Sequence, residues 1–377
     1  MTSSTSMVNL TSSNELEYDY DFTESWNYFD WKELTPALIV YTVTMVIGII
    51  GNSLIVFTIS RYRRMKSTTN VFLASLASAD LLLIVVCIPV KLAKLFSYTW
   101  TMGFFLCKLV HYMQSVTAIC SVLTLTAMSI ERYYAIVHPM KAKYVCTISQ
   151  ARRVIFALWI AALLLATPIL FVQVHMRVAV DKFPNTFWCV RNYDDPPIWR
   201  LHEMYMLILV LIVPTSVMAV TYTSICWEVW NVMQTRYHMT SGKASLNGDN
   251  FPLSTKRTTT FIQSNKPTSE DNNTVKQVIK MLVLIVIVFI LCWGPLLIDN
   301  VLTAWGVLDS QKLGLQKYLA TTFHLMAYFN SCVNPIVYGF MSKKLSGKLP
   351  DGALPMLSRA SAPQKATLHV PDKDDLV

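Results

Sequence analysis

Charge is scarce in this chain. Only 15% of its 377 residues are Asp, Glu, Lys or Arg, against 53% hydrophobic, whereas a soluble domain carries about a quarter charged residues. A water-soluble globule is therefore excluded in favour of a bilayer-embedded protein. The N-terminus has no basic segment followed by a short apolar core, so no cleavable signal peptide is expected and the first span would itself direct insertion. There is no HExxH, no CxxC, no pair of membrane carboxylates and no phosphate-binding glycine loop, which argues against an enzyme. No internal repeat of the transporter kind is visible. The net charge is +9, but its basic residues gather in loops between apolar stretches, which suits membrane topology better than nucleic-acid binding, so nucleic acid is not an expected partner.

What is present is a series of apolar runs, each long enough to cross about 30 Å of hydrocarbon. They fall near 36–60, 71–96, 105–137, 152–172, 203–229, 276–304 and 315–340, the third and fifth being less uniformly apolar. The expected fold is an all-α membrane protein, a seven-transmembrane helix bundle with a short cytoplasmic eighth helix. Arg61, Arg63, Arg64 and Lys66 follow the first run, and Lys141, Lys143, Arg152 and Arg153 follow the third. Arg236, Lys256, Arg257, Lys276 and Lys280 surround the fifth-to-sixth loop, and Lys343, Lys344 and Lys348 follow the seventh run. All these loops lie on one side, which the positive-inside rule makes cytoplasmic. The N-terminus is then outside, in keeping with its acidic run Glu15, Glu17, Asp19, Asp21, Glu24, Asp30 and Glu33 against a single Lys32.

The expected organisation is an extracellular acidic arm over 1–35, a seven-helix bundle over 36–345 and a cytoplasmic tail over 346–377. Ser, Thr and Asn dominate 234–274, which reads as a disordered inner loop. Asn9 opens an Asn-Leu-Thr sequon in the outer arm and is a candidate glycosylation site, while the Asn272 sequon falls inside. Tyr18 and Tyr20, flanked by acids, are candidate sulfation sites that would attract a basic peptide; a merely solvated acidic tail is the alternative.

Polar residues inside the runs are costly and so mark function. The first run carries Gly51-Asn52, the second Leu76-Ala77-Ser78-Ala79-Asp80, and the third ends in Glu131-Arg132-Tyr133. Trp159 lies in the fourth, Pro214 and Tyr222 in the fifth, Phe289 and Cys292-Trp293-Gly294-Pro295 in the sixth, and Asn334-Pro335-Ile336-Val337-Tyr338 in the seventh. In this order and on these spans the motifs resemble those of the rhodopsin-like, class A G-protein-coupled receptors, over about 36 to 345.

The resemblance implies a set of roles. Asp80, Ser121, Asn330 and Asn334 would hold a sodium ion in the resting state; a hydrogen-bonded polar knot without an ion is the alternative. Arg132 would pair with Glu131 at rest and swing on activation toward Tyr222, Tyr338 and the G protein. Its second acidic lock, on the sixth helix of many relatives, is replaced here by Val275 beside Lys276. Phe289, Trp293 and the Pro295 kink, with Val122, resemble the core that transmits ligand binding to helix opening. Met140, after His138-Pro139, sits where relatives dock the G protein. Of the eight cysteines only Cys107 and Cys189 face the outside, and they match the family disulfide. The tail has no Cys for a palmitoyl anchor.

By position, Gln114 replaces the aspartate of amine receptors and Tyr328 replaces the retinal lysine of opsins. No outer Cys exists for the second disulfide of chemokine receptors. The chain resembles instead the neuropeptide branch containing orexin, cholecystokinin and RFamide-type receptors, with a hairpin expected over Asp181–Arg200. Pocket candidates are Met113, Gln114, Thr117, Glu203, Met206, Trp293, Asn300, His324 and Tyr328. The implied partners are an extracellular peptide ligand, a heterotrimeric G protein, arrestin, receptor kinases and membrane lipids at the plasma membrane, with no cofactor beyond that sodium ion. A receptor for a lipid or other small molecule, or a seven-span transporter, is the competing reading.

Overall fold

A computed structural model describes residues 31–97, 99–180, 183–192, 195–244, 269–310 and 312–346. Asn9, Tyr18 and Tyr20 lie outside them. The chain folds as α1 (Trp31–Arg61), α2 (Thr68–Leu95), α3 (Gly103–Val137), a short α4 (Pro139–Val145), α5 (Ile148–Leu165) and a turn α6 (Ile169–Val172). Strands β1 (Gln173–Val180) and β2 (Phe183–Arg191) follow, then α7 (Pro196–Met206), a π-helical turn Leu207–Ile212, α8 (Val213–Ala244), α9 (Ser269–Ala304) and α10 (Gly314–Ser346).

Helix starts are set by local chemistry. Ser67 accepts a hydrogen bond from the Asn70 N–H at 3.2 Å to open α2, and Thr147 does the same from Gln150 for α5. Pro139 opens α4 and Pro196 opens α7, where the missing N–H costs nothing. Within α3, Thr124, Thr126 and Ser129 donate back to carbonyls one turn earlier, so their hydroxyls are satisfied without water.

Among the described residues six segments are long and apolar enough to cross a bilayer: Leu34–Arg61, Thr68–Leu95, Gly103–Val137, Ile148–Val172, Pro196–Val232 and Ile279–Ala304. The third is the least apolar of them, as expected, but the fifth is not set apart. The outlier is α10, too polar to join the six although its 33 residues span about 50 Å as a helix. It still takes its place as the seventh rod, packed against α1, α2 and α9. Its Asn330, Ser331 and Asn334 are buried in the bundle, which explains its polarity. Large apolar side chains such as Ile39, Ile50, Leu54 and Phe57 on α1 stay exposed, a face that suits lipid rather than water.

α3 is the central strut, packing on α2, α5 and α8. Its inward residues Val116, Ile119, Cys120, Val122 and Met128 are buried completely. Trp159 of α5 donates its indole N–H to Ser75 of α2 at 3.1 Å. Asn52 joins α1 to α10 by donating to the Ser331 carbonyl at 2.8 Å. Beside it Gly51 lets the rods touch: a Cβ built there would lie 2.6 Å from Cβ and 2.9 Å from Cγ of Pro335.

The helix bundle is as expected, and three details differ: the hairpin bounds, the ends of the inner loop and the eighth helix. The bundle carries an antiparallel hairpin, which pairs Gln173 with Arg191 and His175 with Cys189. That hairpin begins before Asp181, while Pro196–Arg200 is already helix. Finally, 234–274 is helical at both ends, α8 running through Ala244 and α9 starting at Ser269. No separate eighth helix is seen among the described residues, because α10 continues unbroken to Ser346.

Candidate functional site: a charged cavity and a latched arginine

Two polar regions lie at opposite ends of the bundle, joined by a buried core. At the hairpin end, Cys107 at the start of α3 is disulfide-bonded to Cys189 of β2, with Cα atoms 5.7 Å apart. The other six cysteines are free, as expected. The Trp100 N–H donates to the Phe187 carbonyl at 2.7 Å, and Lys108 donates to the Leu170 carbonyl at 2.6 Å. These ties hold the hairpin over a cavity of about 310 Å³.

Six of the nine predicted pocket residues line this cavity: Gln114, Glu203, Met206, Trp293, Asn300 and His324. The other three do not. Tyr328 is buried behind the wall and donates its hydroxyl to Gln114 Oε1 at 2.9 Å, fixing that amide. Thr117 is buried and turns its hydroxyl back to the Gln114 carbonyl at 3.0 Å. Met113 packs against the apolar cluster of Tyr41, Ile88 and Tyr328. In each case a helical neighbour of a wall residue points into a helix contact instead of the cavity.

The sequence reading missed the charges. Lys91, Arg191, Asp299 and Lys312 all line the cavity, with His111 and His202. Arg191 Nε lies 3.1 Å from Glu203 Oε1, and Lys312 pairs with Asp299. Besides Asp80, the carboxylates Glu203 and Asp299 are buried within the spans. A signal existed for Lys91, a lysine two residues beyond Pro89 inside an otherwise apolar run.

Trp293 forms part of the cavity wall, and its ring stacks on that of Phe289 at 6.2 Å between centroids. Both are buried, with Val122, in the main apolar cluster. Pro295 interrupts the hydrogen-bond ladder of α9 just beyond Trp293. Below this core Asp80 is buried at 2% exposure and accepts from Asn334 Nδ2 at 2.8 Å. Ser121, Asn330 and Asn334 are buried too. A carboxylate with neutral hydroxyl and amide oxygens is a hard donor set and fits an alkali-type cation. Among the described residues no three His, Cys, Asp or Glu side chains gather as a site for a more tightly held metal.

At the opposite end Arg132 is gripped by Glu131, Nε to Oε2 at 2.6 Å and Nη2 to Oε1 at 2.9 Å. Thr69 of α2 donates to Glu131 Oε2 at 3.2 Å and accepts from Arg132, so the pair is latched to a neighbouring helix. The sequence reading missed Thr69. The hydroxyls of Ser129 and Tyr222 are hydrogen-bonded at 3.0 Å. Tyr338 differs, its buried hydroxyl having no protein hydrogen-bond partner among the described residues. The Val275 side chain lies outside the description. Met140 projects from α4 at 78% exposure.

Comparison with known proteins agrees with this geometry. The family described as "7 transmembrane receptor (rhodopsin family)" matches residues 51–338. The chain is 30% identical to a QRFP-like peptide receptor of Branchiostoma floridae, over 82% of this chain and 75% of that protein. It is 31% identical to the growth hormone secretagogue receptor type 1 of Homo sapiens, over 83% of this chain and 80% of that one. With the pyroglutamylated RF-amide peptide receptor of Rattus norvegicus it shares 27% identity, over 79% of this chain and 65% of that one.

Proposed function

Because the chain belongs to the rhodopsin family of seven-transmembrane receptors, and so is a class A G-protein-coupled receptor and not an enzyme, we propose that its activator is a neuropeptide. The peptide enters the cavity beneath the hairpin. The observation that carries this reading is the cavity itself, with ionic and amide groups around its wall. A site for an apolar lipid would be lined mainly by hydrocarbon. Relatives that align along most of the chain are named as receptors for peptides, which supports the same reading.

In this proposal the hairpin end is extracellular, the Arg132 end is cytoplasmic and the membrane is the plasma membrane. Residues 1–35 form the outer arm and 346–377 the tail, where receptor kinases and arrestin act. Ligand pressing on Trp293 biases α9 about the Pro295 kink. A ligand can shift the equilibrium only by its differential affinity for the two arrangements. Opening of the cytoplasmic end frees Arg132 from Glu131 and Thr69, and the guanidinium then meets Tyr222, Tyr338 and the G protein. In that arrangement the Tyr338 hydroxyl, which has no protein partner among the described residues, gains a hydrogen bond. Asp80, Ser121, Asn330 and Asn334 would hold a sodium ion in the resting arrangement, and the ion would balance the charge of the buried carboxylate. Met140 provides an apolar contact for the G protein.

The test is a neuropeptide library applied to cells expressing the receptor, with calcium and cyclic AMP as readouts. A peptide-specific response is expected. Silence to all peptides with a response to lipids would overturn the ligand assignment.

A further inference from the structure

The cavity is unevenly charged, and the imbalance has one owner. Both of its carboxylates are already engaged. Glu203, only 2% exposed, meets Arg191 Nε at 3.1 Å and His202 Nδ1 at 3.4 Å, with a further hydrogen bond to Trp199. Asp299 is paired with Lys312. Lys91 stands on the same wall, partly buried, and no carboxylate lies within ion-pair distance of it among the described residues.

The groups around Lys91 make the deficit sharper. Lys91 and Arg191 both act electrostatically on His111 and on His324, which line the same cavity. The His111 Nδ1 is hydrogen-bonded to the Cys107 carbonyl at 3.0 Å, so that nitrogen carries the proton and donates. This wall thus offers two cations and two imidazoles against one carboxylate that is already satisfied. An unpaired cation inside a cavity loses water without compensation. A cationic ligand group would be repelled by Lys91 and would have to displace Arg191 or Lys312 from its partner. An anionic group meets neither obstacle.

We propose that Lys91 anchors an anionic group of the activating ligand, a carboxylate or sulfate, flanked by Arg191 and His324. The inference rests on the reading that the ligand occupies this cavity, and it specifies the chemistry there. For a peptide the group is an acidic side chain, a sulfated tyrosine or a free C-terminus. For a lipid it would be a fatty-acid carboxylate, and the two sources are separable by experiment.

The test compares the wild-type receptor with Lys91→Met, and with Lys94→Met as a control outside the cavity wall. Probes are a synthetic neuropeptide library in which every acidic member is matched by its neutral form (Asp→Asn, Glu→Gln, unsulfated tyrosine, C-terminal amide), and oleate as a lipid acid. For an active peptide, Lys91→Met is expected to cost about 10- to 100-fold in potency, the value of one charge-assisted hydrogen bond. Neutralising one particular anionic group should cost the same, and the two losses should not add. A potent activator without any anionic group, or one whose potency ignores Lys91→Met, would overturn the proposal.

A second readout needs no activator. The purified, unliganded Lys91→Met receptor should be at least as thermally stable as wild type, since a cation without a counter-charge is removed. A clear loss of stability would mean that Lys91 has a structural partner, and would sink the idea. If oleate activates in a Lys91-dependent way and no peptide does, the anion site stands while the peptide assignment falls.

Discussion

Replacing Gly51 by alanine is expected to destabilise the receptor, whereas the same change at Gly294 is not. A Cβ at position 51 would sit 2.6 Å and 2.9 Å from two carbons of the Pro335 ring. Unbonded carbons prefer about 3.5–4.0 Å, so α1 and α10 must part by about 1 Å. The proline ring is fixed to its backbone and has no rotamer with which to yield. Overpacking of this kind costs about 1–3 kcal/mol. The separation also stretches the 2.8 Å bond from Asn52 to the Ser331 carbonyl, and losing it at a buried site adds about 1 kcal/mol. At Gly48 the obstructing atom is the Ile84 Cδ1, the end of a side chain that can rotate, so a smaller loss is expected. At Gly294 nothing comes nearer than 3.9 Å. Alanine there fits and gains about 1 kcal/mol of helix propensity. Thermal denaturation of the three purified variants in one detergent should rank them Gly51→Ala least stable, then Gly48→Ala, then Gly294→Ala at or above wild type. If Gly51→Ala melted with wild type, the described contact between α1 and α10 would be wrong.

Two further expectations concern charge. Arg191→Met strips Glu203 of its cation while leaving the carboxylate buried, and should cost about 3–5 kcal/mol of stability; the double variant Arg191→Met with Glu203→Gln should recover most of the loss, and no recovery in a melting experiment would refute the pairing. At the Arg132 end, burial pushes the Cys146 thiol up and the Glu131 carboxylate adds to it, while Arg132 opposes both. A raised value leaves less thiolate at neutral pH, so in a Cys226→Ser background maleimide should label Cys146 more slowly than a free thiol and gain rate at higher pH; labelling as fast as a free thiol at pH 7 would contradict this environment.

Six of the seven spans were legible because the bilayer demands apolar length. The seventh was read by the same rule over 315–340, although polar residues such as Asn330 and Asn334 leave α10 less apolar than the other six. Glu131, Arg132, Asp80, Asn334 and Trp293 lie close to expected partners because each sits at a fixed spacing along its own rod. The cavity wall was less legible for a geometric reason. Met113, Thr117 and Tyr328 are on the expected helices, yet a rotation of one residue turns a side chain from the cavity to a helix neighbour, and sequence spacing does not resolve that. Lys91, Arg191, Asp299 and Lys312 meet only across elements distant in sequence. Thr69 was missed because a threonine at a helix start reads as a cap, and nothing local shows that α2 and α3 bring it onto the Glu131–Arg132 pair.

The central claim is that a latched arginine at one end answers to a ligand at the other. Nucleotide exchange on purified heterotrimeric G proteins, catalysed by the receptor in nanodiscs, tests it most directly when wild type is compared with Glu131→Gln. Loss of the charged pair weakens the latch by about 1–2 kcal/mol, so unliganded exchange should rise about 5- to 30-fold. Unliganded exchange in Glu131→Gln equal to that of wild type would contradict the account.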